Sequence, residues 1–193
     1  IVQGVEKPSV FFGLGVLSFT IACACGVALM WIVDRGFGPV AVIALIGFVL
    51  AFFYTAPPLK LVYRGFGEIS IFLGFGLWPS LGAYYVQTAA LGWKAVLLGV
   101  PPGLLITNIL WINEFPDYTS DKEAGKNHWV VRLGPAVSRY GYYLFAVIAF
   151  AVVFLLGFFP TIGKWSWLGL LGVPLNLGAA RILHRHYLDP RVL

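Results

Sequence analysis

Six long apolar runs dominate the chain and constrain its fold more than any other feature. They cover about 10 to 33, 40 to 56, 67 to 90, 94 to 113, 141 to 159 and 165 to 183. A hydrocarbon core about 30 Å thick needs roughly 20 apolar residues in helical form, and a helix satisfies its backbone groups within the segment. The reading is an all-α, polytopic transmembrane helical bundle of about six spans. Composition agrees, since 60% of the 193 residues are hydrophobic and only 11% are charged, against about a quarter charged in a soluble domain. That balance excludes a water-soluble fold, a disordered chain, a disulfide scaffold and a nucleic-acid module. Cys23 and Cys25 lie two apart inside an apolar run, where they read as small packing residues.

The net charge of +5 has a membrane explanation, because Lys and Arg are retained on the cytoplasmic side. Lys7, Lys60, Arg64, Lys122, Lys126, Arg132, Arg139, Arg181, Arg185 and Arg191 fall on one side of the spans, and Arg35, Lys94 and Lys164 on the other. This bias puts both termini and the two longer connections, 57 to 66 and 114 to 140, in the cytoplasm of a multi-pass membrane protein. Pro79, Pro101, Pro102 and Pro174 interrupt spans, which suggests kinked helices around a cavity.

Chemistry concentrates where the fourth span leaves the membrane. Of eight acidic residues, Glu114, Asp117, Asp121 and Glu123 fall within ten positions. Asn113, Asp117 and Asp121 are spaced by four, so on one continuous helix they share a face. Two carboxylates and an amide carbonyl are hard oxygen donors that suit magnesium, which completes its shell with substrate phosphates and water. Pro116 offers another geometry, a new helix starting there, in which Asp117 and Asp121 still share one element. The plainer reading is a solvated loop whose acids balance Lys122, Lys126 and Arg132. It leaves the spacing and the polar groups at the bilayer boundary unexplained, so the metal reading moves ahead. The other cytoplasmic loop presents Lys60 and Arg64, either as ordinary anchors or as cations for the free oxygens of a magnesium diphosphate. Glu68 opens the third span and reads as a structural acid at a helix start. His128 is the histidine near the acidic loop, while His184 and His186 read as surface anchors in a basic tail.

With these residues in view, the chain resembles the UbiA superfamily of intramembrane prenyltransferases over essentially its whole length. The likeness rests on Asn113-x-x-x-Asp117-x-x-x-Asp121-Lys122, continuing through Gly125-Lys126 to Val131-Arg132-Leu133-Gly134, which looks like the family's second aspartate-rich motif. The loop from Tyr54 to Glu68 is most similar to the menaquinone branch, the 1,4-dihydroxy-2-naphthoate prenyltransferases. The family pattern has nine helices, and the six spans here would be helices three to eight. The resemblance therefore implies a single transmembrane prenyltransferase domain over 1–193, truncated at both ends, lacking the first aspartate-rich motif and inactive alone.

The resemblance further implies a helical bundle around a cavity, with a prenyl diphosphate and a small aromatic acceptor as substrates and magnesium as cofactor. Asp117 and Asp121 would be the catalytic carboxylates holding the metal, assisted by Asn113. Lys60, Arg64, Lys122 and Lys126 would bind the diphosphate. The bilayer is the expected partner, with no nucleic acid and no obligatory protein partner. Other acceptors of the superfamily stay open: 4-hydroxybenzoate, homogentisate, a chlorophyllide, a haem or a lipid glycerol phosphate. From a different class, a proton- or cation-coupled transporter would use the same carboxylates as a relay, but it calls for acids deep within several spans.

Overall fold

The computed structural model describes residues 7–160 and 163–189. Arg191, counted in the charge bias, lies outside these residues. Helix α1 runs Pro8–Asp34, α2 Pro39–Thr55, α3 Gly67–Thr88, α4 Trp93–Asn113, α7 Pro135–Leu156 and α8 Lys164–His186. Two short helices, α5 (Tyr118–Glu123) and α6 (Trp129–Leu133), occupy the connection between α4 and α7. Among the described residues there is no strand. Five of the long helices are long and apolar enough to cross a membrane, and α2, at 17 residues, is a shorter apolar helix. The expected all-α bundle is what forms.

Helix boundaries follow local chemistry. Proline at the first turn starts α1, α2 and α7, where its missing N–H costs nothing. Helix α7 begins at Pro135 rather than near 141, because Gly134 turns the chain with φ +77° immediately before that proline. Its first turns are polar, which is why hydropathy alone starts the span too late. The Pro79 ring conflicts with the carbonyl four residues back, and α3 answers with a π-helical stretch over Leu73–Leu77. Helix α8 is entered through 3-10 turns over Lys164–Gly172 before becoming regular at Val173.

The bundle is fastened in two places. At one end Asp34 accepts the Val40 N–H at 2.9 Å and the Tyr85 hydroxyl at 2.7 Å, capping α2 and tying it to α3. In mid-bundle the backbones of α3 and α4 touch. A Cβ on Gly76 would lie 2.5 Å from Gly103 Cα and 2.5 Å from the Gly99 carbonyl oxygen. Gly99 and Gly103 are four apart, the small-residue spacing that lets membrane helices approach closely. This contact sets the relative height of Glu68, at the start of α3, and Asn113, at the end of α4. Toward that same end Trp111, Phe115, Val130, Tyr142, Ala180 and Leu183 form a buried cluster. The Trp111 indole donates to the Ser138 carbonyl at 2.8 Å, and the Asn108 amide donates to the Tyr142 carbonyl at 3.2 Å.

Overpacking such a contact costs about 1–3 kcal/mol. Gly103→Val should therefore lower the thermal midpoint of the detergent-solubilised protein by several degrees. Gly178→Ala, at a helical position where the added carbon meets nothing outside its own helix within 4 Å, should leave the midpoint unchanged or raise it slightly.

Candidate functional site

The acid-rich segment does not continue α4. Proline at 116 cannot donate to the carbonyl of Ile112 and its ring crowds it, so the helix stops at Asn113 and a turn follows. Asp117 then precedes α5, and the Asp121 N–H donates to the Asp117 carbonyl at 2.8 Å. Of the two geometries open from sequence, the new helix after Pro116 is the one adopted. Asp117 and Asp121 stand one turn apart, while Asn113 belongs to another element. Asn113 and Asp117 are exposed, and Asp121 is mostly covered.

Asp121 anchors a chain of polar contacts that runs inward. Its Oδ1 accepts from Lys126 Nζ at 2.6 Å, and its Oδ2 lies 3.2 Å from His128 Nε2. On the other side of the ring, His128 Nδ1 lies 3.3 Å from Glu114 Oε2. Glu68 closes the group: its Oε1 accepts the Trp129 N–H at 2.7 Å. Glu68, Glu114 and His128 are 4%, 5% and 1% exposed, and each brings a donor atom within 4.8 Å of the others. Burial pushes the Glu114 carboxyl above the usual range, Glu68 and Asp121 add to this, and His128 partly offsets it. Burial opposes the charged form of His128, but Glu114, Asp121 and Glu68 together outweigh it and hold the imidazole above its ordinary value. The bond to Asp121 likewise raises Lys126.

The basic loop packs against this segment through its backbone. The Asn127 N–H donates to the Tyr63 carbonyl at 3.1 Å, and the Trp129 indole donates to the Gly65 carbonyl at 3.0 Å. Arg132 bridges the loops, its Nε donating to the Asn127 carbonyl and its guanidinium NH2 to that of Arg64. Gly65, at φ +78°, passes so close to Arg132 that a Cβ would lie 2.6 Å from the guanidinium carbon. Both long connections therefore meet at one end of the bundle, as the charge bias requires.

The four basic candidates divide. Lys126 joins the acids directly and also feels Asp117 and Tyr63. Lys60 sits 5.7 Å over the Tyr63 ring, Lys122 sits 5.8 Å over the Tyr118 ring, and Arg64 donates to the Pro58 carbonyl at 2.9 Å. Among the described residues these three make no ion pair with the acids. Asn113, Asp117 and Asp121 offer hard oxygen donors of the kind magnesium takes. Asn113 and Asp117 are exposed, while the Asp121 oxygens lie against Lys126 and His128. Sequence reasoning gave no metal or catalytic role to Glu68, Glu114 or His128. Their separation along the chain hides the convergence, and the visible signals are a carboxylate beside Asn113 at the membrane exit, a histidine near the acidic loop and an acid opening the third span.

Two apolar cavities flank α3. One, about 640 Å³, lies between α3, α4 and α7 against Phe72, Thr107, Trp111 and Leu144. At 100° per residue, its α4 residues fall on the side of that helix away from Asn113. The other, about 630 Å³, lies between α2 and α3 against Ala51, Tyr54, Ser70 and Trp78, and Tyr54 is within electrostatic reach of Glu114 and Glu68.

Residues 8–191 match the UbiA prenyltransferase family. The chain is 30% identical over 178 residues to the 1,4-dihydroxy-2-naphthoate octaprenyltransferase of Escherichia coli (strain K12), covering 91% of this chain and 58% of that protein. The enzyme of the same name from Mycobacterium leprae is 30% identical, with 91% and 58% covered, and that from Bacillus subtilis is 27% identical, with 94% and 57% covered. The chain thus spans a little over half the length of these relatives. No solved structure matches significantly.

The loop contacts give a direct prediction. Arg132→Ala should uncouple the two connections, so amide hydrogen exchange over 57–66 should quicken several-fold while α3 and α4 keep their protection. Unchanged exchange in that loop would show that the Trp129 and Asn127 bonds hold it alone.

Proposed function

The chain belongs to the UbiA prenyltransferase family, and on that premise we propose that the protein transfers a polyprenyl group from a prenyl diphosphate to an aromatic acceptor. The acceptor we favour is 1,4-dihydroxy-2-naphthoate, in menaquinone biosynthesis. The observation that carries the reading is the meeting of an acidic and a basic connection at one end of an apolar bundle, in a chain whose relatives bear that activity in their names. On this reading the site faces the cytoplasm, in keeping with the basic bias of that end.

Asp117 and Asp121 would hold magnesium, with the Asn113 carbonyl assisting. Bound there, the ion would supply Lewis-acid stabilisation of the diphosphate leaving group. Lys126 fixes Asp121 in place. Lys60, Arg64 and Lys122 lie on the two connections and would neutralise diphosphate oxygens outside the metal's reach. Breaking the allylic C–O bond sends its electron pair onto the diphosphate and leaves an allylic cation. An electron-rich ring carbon of the acceptor attacks that cation and regains aromaticity by expelling the electrofugal group it carried. The protein's contribution is positional and electrostatic. The α2–α3 cavity, with Tyr54 at its polar end, would take the apolar tail.

The experiment uses the full-length protein in membranes, with labelled geranylgeranyl diphosphate, a panel of aromatic acceptors, and magnesium present or withheld. Magnesium-dependent prenylation of 1,4-dihydroxy-2-naphthoate is the expected result. Transfer to a different acceptor would overturn the branch, and absence of diphosphate binding would overturn the class.

Asp117→Asn and Asp121→Asn should each lower turnover by about 10²-fold or more, the usual cost of losing a transition-state charge contact. Lys60→Ala and Arg64→Ala should chiefly raise KM for the diphosphate. Wild-type kinetics in both lysine and arginine variants would return these residues to the role of membrane anchors.

A further inference from the structure

The buried group formed by Glu68, Glu114 and His128 has no part in the transfer chemistry above, and its geometry asks for an occupant. Three atoms in it lack any hydrogen-bond partner: Glu68 Oε2, Glu114 Oε2 and His128 Nδ1. All three residues are more than nine-tenths buried. Glu114 has the His128 ring as an ionic neighbour, but Glu68 Oε2 has no partner, and a buried carboxylate oxygen left so is costly. Glu114 and His128 approach closely without the alignment of a hydrogen bond.

We propose that Glu68, Glu114 and His128 form a site for a divalent transition-metal ion of the zinc type, separate from the Asp117 and Asp121 carboxylates. The spacing suits such an ion: two donors each about 2.0–2.1 Å from a tetrahedral centre stand roughly 3.3 Å apart, and Glu114 Oε2 to His128 Nδ1 is 3.3 Å. The third donor, from Glu68, lies within 4.8 Å of both. The donor set of one imidazole and two carboxylates belongs to borderline ions rather than to magnesium, which keeps mostly water and substrate oxygens.

The surroundings orient the donors as metal ligands are usually oriented. His128 bonds through Nε2 to the Asp121 carboxylate. A neutral ring donating there presents the Nδ1 lone pair inward, the arrangement of a carboxylate, histidine and metal triad. Glu68 is fixed through Oε1 by the Trp129 N–H, which leaves Oε2 free. Three protein ligands leave a fourth position for water. The ion would clamp the start of α3, the end of α4 and the start of α6, and through His128 it would fix Asp121.

The test is metal content. The full-length protein, carrying a tag without histidine, is stripped with EDTA in detergent, exposed to zinc, desalted and measured by elemental mass spectrometry. About one zinc per chain is expected, kept in Asp117→Asn and lost below about a tenth in His128→Gln and Glu114→Gln. Asp121→Asn should weaken zinc binding about 10–100-fold without removing it. Less than a tenth of a zinc in the wild type, or equal zinc in wild type, His128→Gln and Glu114→Gln, would overturn the site and leave a shared proton as the occupant. Should those variants not fold, cobalt loading of the wild type decides. Visible absorption from a low-symmetry nitrogen and oxygen site supports the proposal, and its absence refutes it. Magnesium-dependent transfer is read separately, so failure of the zinc site and failure of the transfer reading are told apart.

Discussion

In a bilayer, a polar group that leaves water must find its partners within the protein. That constraint organises the whole molecule. The long helices spend their length on apolar contacts and satisfy their own backbones, so nearly all the chain's acids are driven to the helix ends. Asp34 works at one end, as a cap and as the acceptor for Tyr85. At the other end Glu68, Glu114, Asp121, Lys126 and His128 gather into a single linked group. Segregation by solvent, rather than any local motif, is what concentrates chemistry at that end.

The architecture was largely legible in the sequence. Six apolar runs became six long helices, and Asp34-Arg35 and Leu91-Gly92-Trp93 fall at the joints between them. Hydropathy misplaced the start of α7, because a helix may begin with polar turns once it has left the hydrocarbon, and only Gly134-Pro135 announced it. The spacing of Asp117 and Asp121 was readable because it is local. The roles of Glu114 and His128 were not, because they depend on tertiary contact. His128 is placed by the N-terminus of α6, Glu114 by the turn at Pro116, and Glu68 by the backbone of Trp129 some sixty residues away. No periodicity encodes such a convergence. The family resemblance, which the match over residues 8–191 bears out, rested on the local part alone.

The two connections also differ in how they are held. The acidic one is gripped from within, through buried side chains. The basic one is gripped mainly through its carbonyls, at Tyr63, Arg64 and Gly65, which leaves Lys60 and most of the Arg64 guanidinium exposed. A loop fixed by its main chain can offer its cations to a ligand without losing its own anchorage.

The glycine contact between α3 and α4 decides which part of the bundle can give way. Where backbones touch, neither helix can slide or tilt without colliding, so these two form a fixed wall. Helix α2 meets α3 differently, through side chains around an open space of about 630 Å³. Room to open beside α3 therefore lies on the side of α2, where Gly47 and Ala51 of α2 and Gly82 of α3 line the space.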